Sequence, residues 1–206
     1  IAKAPHITIP SKPDPKDLRL TREQGQKLLD CCEHAHVKLF VILALQTAAR
    51  MGAILDLTWD RIDFDEGLIN LRDPEKEQTN KRRVQVPMTA TARAALREAE
   101  RFAVSGYVIE WNGRRVDTVK KAIKSAGAKA GVPWVSAHIL RHSAACWMAE
   151  AGVPMSEISQ FLGHTSTRVT EAVYARYSPD HLRKAAAALE MPQVRAVGPR
   201  TAADGN

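Results

Sequence analysis

Residues 136–152 read SAHILRHSAACWMAEAG, and the parsing of the whole chain turns on this run. Ser136 can offer a side-chain oxygen to the open amides of a helix start, and Gly152 supplies the left-handed residue that ends one. The run therefore predicts a helix through Glu150. His138 and Arg141 stand three apart on it and share a face. A titratable ring beside a planar, bidentate donor is a ready pair for a phosphate. The plainer alternative is a helix with one packed and one exposed histidine. His138 and His142 also have the spacing of a zinc-binding helix, but Ile139 stands where a metalloprotease needs its general-base Glu. No Cys or carboxylate cluster offers a third ligand, so no metal and no other cofactor is predicted.

Downstream, Pro154 starts a short helix that Gly163 stops at Leu162, which leaves His164 just past a turn. Helices over Thr167–Arg176 and Pro179–Glu190 follow, with Ser178 as the cap between them. Upstream, Thr21 and Gln24 form a capping box for a helix burying Leu28, Leu29 and Cys32. The stretch from His36 to Gln46 is apolar nearly all round and belongs deep in the core. A short helical pattern with Ile54, Leu55 and Leu57 ends near Trp59. Phe64, Leu68, Ile69, Leu71, Val84 and Val86 then read as short strands around the polar segment Asp73–Arg83. Thr89 caps an Ala-rich helix through Phe102, one more short strand is placed within Tyr107–Val116, and Lys120–Lys129 reads as a basic amphipathic helix ending at Gly131. The predicted fold is mainly α with a small antiparallel β-sheet, an α+β arrangement. Residues 1–20, with four prolines, read as an interdomain linker or arm, 21–190 as the domain, and 191–206 as a flexible tail.

Composition bounds the function. The 206 residues are 45% apolar and 26% charged, which fits a globular chain with a real core and excludes disordered and collagen-like classes. The longest apolar run, Val37–Leu45, is too short to cross a bilayer. Three cysteines cannot build a disulfide framework, and Cys31, Cys32 and Cys146 read as small buried side chains in a reducing, cytoplasmic compartment. Ile1 in place of an initiator Met fits a fragment or a processed chain. Thirty Lys and Arg against 23 Asp and Glu give a net +7 and a pI near 9.5, which favours an anionic partner, nucleic acid before membrane.

Taken together, Arg50 in QTAARMGAILDL, Lys81 in TNKRRVQVP, AHILRH, FLGHTS and VYARYSPDHL follow one another in an order that resembles the catalytic domain of the tyrosine recombinases, the phage-integrase family. The resemblance runs from about Thr21 to Glu190, and the last three strings carry most of its specificity. It implies a site-specific recombinase that cuts and rejoins duplex DNA through a 3′-phosphotyrosyl link, with no metal and no ATP. The covalent link conserves the bond's reactivity for rejoining. By the same resemblance Arg50 and Arg141 clamp the phosphate, His164 donates to its oxygens, His138 assists removal of the tyrosine proton, and Lys81 protonates the leaving 5′-oxygen. His142 is assigned a buttressing role as a buried, hydrogen-bonded ring.

Tyr174 is favoured over Tyr177 as nucleophile because it fits the family's register with SPDHL. Lys81 fits the turn before a strand ending in Val-Pro, although some relatives carry lysine one position earlier, at Asn80 here, and Lys76 is an outside alternative. In one place the chain departs from the family: Ala53 stands where an acid usually orients the first arginine, a task that could shift to Asp56. Arg82, Arg83, Arg114, Arg115, Lys120 and Lys121 are candidate DNA contacts, with Lys124 and Lys129 on the same helix, and a solvated helix face is the plain alternative. At 5%, aromatics are too few for a base-stacking platform, so duplex DNA is the expected partner. The resemblance further implies a tetramer on attachment-type DNA sites, a monomer in isolation, and a separate N-terminal DNA-binding half. Rival readings are a relative that only relaxes or resolves DNA, a binding module that has lost catalysis, and a metal-dependent nuclease.

Overall fold

A computed structural model describes residues 18–72, 84–180 and 182–189. Its helices are α1 (Arg22–Asp30), α2 (Ala35–Thr47), α3 (Met51–Leu55), α4 (Ala90–Glu100), α5 (Lys120–Lys129), α6 (Ala137–Glu150), α7 (Met155–Leu162), α8 (Thr167–Tyr174) and α9 (Arg183–Ala188). Strands β1 (Ile62–Asp63), β2 (Leu68–Asn70) and β3 (Gln85–Pro87) form one antiparallel sheet, and β4 (Glu110–Trp111) and β5 (Arg114–Arg115) a second. The mainly α architecture is the one the sequence predicts, with two small antiparallel sheets where one was expected.

Local chemistry sets several helix starts. Thr21 and Gln24 make the reciprocal capping box of α1, Thr89 accepts from Ala92 at the start of α4, and Ser136 accepts from Ile139 at the start of α6. Apolar chemistry sets the middle. Val37, Phe40, Val41, Leu43 and Ala44 of α2 are all buried, and α6 and α4 pack against this helix. Each such large side chain contributes about 1.5–3 kcal/mol on burial. In the three-stranded sheet Ile62 lies opposite Ile69 and Ile69 opposite Val86, so the buried positions are in register. Gly127 of α5 permits a close approach: a Cβ there would lie 2.4 Å from Val135 Cγ1.

Several expectations need correction. Phe64, Leu71 and Val84 lie just outside the strands, although Leu71 still donates its amide to Val84. Residues 107–116 hold a hairpin instead of one strand, with Arg114 and Arg115 as its second strand. The turn is Asn112-Gly113, both at positive φ (50° and 70°), the mirror-image geometry whose twist suits a two-residue hairpin loop. The helix expected to reach Phe102 ends at Glu100, and that expected to reach Arg176 ends at Tyr174 and tightens into a 3-10 turn over Ala175–Tyr177. Ser178 closes that turn rather than capping a helix; α9 starts later, after Leu182. Cys31 and Cys32 are half-buried, while Cys146 is fully buried.

The core falls into two clusters. The larger joins α1–α5, the three-stranded sheet, Val108 and Ile109 just before β4, and Leu140 of α6. The smaller joins Ala48, Ala144, Ala145, Cys146, Ala149, Ile158, Leu162 and Tyr174. Helix α6 contributes to both, which puts His138, Arg141 and His142 at their junction. Among the described residues no helix is long and apolar enough to cross a membrane.

Candidate active site

Two helix ends converge on Arg141. Helix α2 ends at Ala48 in the left-handed region (φ 49°), and α7 ends at Gly163 in the same region (φ 65°). Arg141 donates from Nη1 to the Ala48 carbonyl at 2.6 Å and from Nη2 to the Leu162 carbonyl at 2.8 Å. Carbonyls at helix C-termini carry partial negative charge and suit a cation. Arg141 is 8% exposed, yet its guanidinium retains partners for its charge. Burial lowers its pKa to about 10, repulsion by Arg50 adds to this, and the nearby Tyr174 opposes it. It remains a cation at neutral pH.

A residue just past each cap joins the same place. His164 follows Gly163, and its Nε2 lies 3.2 Å from Arg141 Nη2 while its Nδ1 lies 2.9 Å from Thr170 Oγ1. Arginine can only donate, so Nε2 carries the lone pair and Nδ1–H donates to Thr170. Burial holds the His164 pKa below its ordinary value, with the Arg141 and Arg50 charges acting in the same direction. Arg50, two residues after Ala48, stands at the start of α3, where its backbone carbonyl accepts from Ala53 and Ile54.

Arg50, His138, Arg141 and His164 line one cleft of about 600 Å³, so the shared face read from the sequence for His138 and Arg141 is realised. Lys120 and Lys124, one turn apart on α5, line it too. No carboxylate stands among the described lining residues. Four side chains of fixed positive charge around one concavity make an anion site. Among the described residues no three His, Cys, Asp or Glu side chains converge as a metal-ligand set.

Tyr174, the last residue of α8, is only 7% exposed and packs in the smaller core cluster. Its hydroxyl lies 3.4 Å from His142 Nδ1. Burial raises its pKa, the adjacent Cys146 adds to this, and Arg141 opposes it. Tyr177 differs: it is partly exposed, Arg176 donates to its hydroxyl at 2.7 Å, and the Arg19 guanidinium stacks on its ring.

The other candidates scatter. Lys81, Arg82 and Arg83, and the alternatives Lys76 and Asn80, lie outside the described residues. Arg114 is exposed on β5, and Lys121 faces a separate hollow beside Cys31 and Cys32. Arg115 pairs with Asp56 at 2.6 Å and Asp117 at 2.7 Å. Hydrogen bonding to Asp56 is the main cause raising its pKa. The Asp56 carboxylate is thus bound to the hairpin, and the residue at position 53 is a buried alanine. Lys129 is ion-paired with Glu33.

Sequence reasoning missed three parts of the site: the Ala48 carbonyl, the Leu162 carbonyl and Thr170. Gly163 was a signal for the second. Nothing in the sequence marks an alanine for the left-handed region or a threonine six positions from His164.

Comparison with known proteins agrees with this architecture. The phage integrase family model matches residues 18–181. The chain is 30% identical over 191 residues to the tyrosine recombinase XerA of Thermococcus kodakarensis, covering 89% of this chain and 66% of that protein. It is 27% identical over 201 residues to the integrase of Salmonella phage P22, covering 91% of this chain and 51% of that one. Among solved structures, a crystal structure of XerA recombinase matches with a TM-score of 0.70 at 24% identity, over 90% of this chain and 68% of that one. The catalytic domain of bacteriophage HP1 integrase matches with a TM-score of 0.61 at 20% identity, over 82% of this chain and 93% of that one. The chain belongs to the phage integrase family, and its fold is that of a tyrosine recombinase catalytic domain. It spans about two thirds of the XerA sequence and half of the P22 integrase.

Proposed function

We propose that this chain is the catalytic part of a site-specific recombinase that cuts and rejoins duplex DNA through a 3′-phosphotyrosyl intermediate, without metal or ATP. The observation that carries the reading is the cleft in which Arg50, His138, Arg141 and His164 meet, with no carboxylate among its described lining residues and with Arg141 fixed by two helix-terminal carbonyls. Attack on a phosphodiester gathers negative charge on the non-bridging oxygens, and donors already held in place stabilise it without reorganising. Arg50 and Arg141 supply that clamp. His164 joins it by donating from Nε2, once its proton shifts there from Nδ1 with the Thr170 hydroxyl turning to donate, or once the ring takes up a second proton beside the anionic phosphate. Tyr174 is the nucleophile, and Lys81 protonates the leaving 5′-oxygen. The family resemblance gives His138 the task of assisting proton removal.

Lys120 and Lys124 hold flanking phosphates, and Arg82, Arg83, Arg114 and Lys121 extend the contact along the duplex; Arg115 serves mainly to tie the hairpin to Asp56. In this reading residues 1–20 link the domain to a separate DNA-binding half, 21–190 form the catalytic domain, and 191–206 are a tail. The whole protein acts as an intracellular tetramer on attachment-type sites of a phage or prophage.

Covalent trapping tests the reading. The protein is incubated in chelator with nicked duplexes and supercoiled plasmid, and a detergent-resistant protein–DNA adduct is sought. The expected result is an adduct in wild type and Tyr177→Phe and none in Tyr174→Phe. An adduct lost only in Tyr177→Phe moves the nucleophile, and cleavage abolished by chelator returns the metal-dependent nuclease.

A further inference from the structure

Among the described residues two charged side chains are buried: Arg141, 8% exposed, and Arg61, 9% exposed. The first belongs to the cleft. The second stands outside it, at the end of the 3-10 turn Trp59–Arg61 that leads into β1, and the proposed reaction does not use it. A guanidinium is costly to bury, so its partners show what it holds. Arg61 donates from Nη2 to the Asp56 carbonyl, from Nη1 to the Arg72 carbonyl at 3.3 Å and from Nε to Thr58 Oγ1 at 2.9 Å. Asp56 closes α3, the helix that begins directly after Arg50. Arg72 follows the buried Leu71, just past β2.

Both carbonyls lead back to Arg50. Helix α3 is five residues long, so a bond to its last turn constrains its first, where Ala53 and Ile54 donate to the Arg50 carbonyl at 2.9 and 3.2 Å. From the other side, Leu71 joins Ala53 and Val84 in lining a small hollow that shares Arg50 and Arg141 with the cleft. Position 53, where the family resemblance expects an acid to orient the first arginine, holds a methyl group, and the Asp56 carboxylate is bound to Arg115.

From this geometry we infer that Arg61 is a positioning residue for Arg50: its fork ties the end of α3 to the segment at Leu71 and so fixes where Arg50 stands in the cleft. The inference rests on Arg50 acting in the phosphate clamp. Arg61 joins α3 to the sheet as Arg141 joins α2 to α7. Lysine does not replace it, because a single ammonium has no planar fork to meet carbonyls from two separate segments.

Two measurements test this, one of them without DNA. Arg61→Met keeps the apolar stem and removes the fork, Arg61→Lys keeps the charge, and denaturation fixes a temperature at which both are folded. Amide hydrogen exchange at Ala53 and Ile54 is expected to quicken by about 10-fold in both variants, while α1 keeps its wild-type rates. Equal acceleration in α1 and α3 means a general loss of stability and overturns the inference, as does no change in α3. The second measurement is adduct formation on nicked duplex. Binding is expected to hold while the rate falls by about 10- to 10²-fold, the cost of a misplaced catalytic group. A methylphosphonate at the scissile position lacks an anionic oxygen for the arginine clamp to neutralise, so on that substrate the variants should approach the wild-type rate. An undiminished deficit there overturns the inference. In an Arg50→Lys background Arg61→Met should add little further slowing, and a full additional loss shows that the two act independently. No adduct from wild type on ordinary phosphate speaks against the recombinase reading itself, and the exchange rates at Ala53 and Ile54 still decide whether Arg61 holds Arg50.

Discussion

The ends of α2 and α7 do the same work with different residues. Each helix stops in the left-handed region, each turns a carbonyl toward Arg141, and each is followed within two residues by a group lining the cleft, Arg50 in one case and His164 in the other. At α7 the left-handed residue is Gly163, which adopts that conformation freely. At α2 it is Ala48, a residue that costs about 1–2 kcal/mol there. The difference teaches how the site is held. At α7 the backbone itself chooses the turn, whereas at α2 the turn is imposed by burial of Ala48 in the smaller core cluster and by the bond to Arg141. Strain of this size survives only where the surroundings over-determine it.

Removing the shared donor breaks both ends at once. Arg141→Ala is expected to slow adduct formation by about 10²–10³-fold. It should also destabilise the fold, because two carbonyls lose their donor, at about 1–3 kcal/mol for each that stays buried. Urea denaturation and adduct kinetics check both, and a variant as stable as wild type would show that the carbonyls do not depend on the guanidinium.

Exchanging the cap residues sharpens the contrast. Gly163→Ala is expected to lose about 1–2 kcal/mol in denaturation. Ala48→Gly regains a similar amount but gives up a buried methyl, about 0.8 kcal/mol, and frees the unfolded chain by about 0.4–1 kcal/mol. Near-neutrality is the expected result. A large loss in Ala48→Gly would mean that packing, not the turn, governs this end.

The ring beside the α7 cap gives a pH signature. Burial and the two arginines depress the His164 pKa, so the folded state favours the neutral ring. The unfolded chain takes up this proton near pH 6.5. Stability from this source is present above that pH and is lost as pH falls through it toward the lower, folded value. His164→Gln should show a shallower loss between pH 7 and pH 5 than wild type, measured by denaturation at each pH. Equal slopes would mean that the ring is not held neutral.

The smallest effects lie on α5. Lys120→Gln and Lys124→Gln, at the cleft, should each weaken binding to duplex DNA and lower the salt slope by about 1. Lys129→Gln should leave binding unchanged, since Lys129 is paired with Glu33. Equal loss in all three would make the whole helix a diffuse surface.

Much of this was legible in the sequence because it is written in local chemistry. The capping box at Thr21 and Gln24, the oxygens of Thr89 and Ser136 and the glycine at 163 fix helix ends within a few residues of chain. The hairpin at Asn112-Gly113 carried an equally local signal, yet its strands are two residues each, too short for an alternation pattern to announce. Ser178 misled for a related reason: a good capping residue precedes a proline, but the chain tightens into a 3-10 turn before it and the helix begins later.

By itself the sequence determined the helical frame, the order Arg50, His138, Arg141, His164, Tyr174 and the family to which that order belongs, because caps, periodicity and motif spacing act over a few residues. Tertiary structure alone decided that Ala48 turns left-handed, that Arg141 is gripped by carbonyls 93 and 21 residues away, that Asp56 binds Arg115, and that His142 meets the tyrosine. These contacts join segments far apart in the chain. Their geometry follows from which surfaces the core forces together, and no local pattern encodes it.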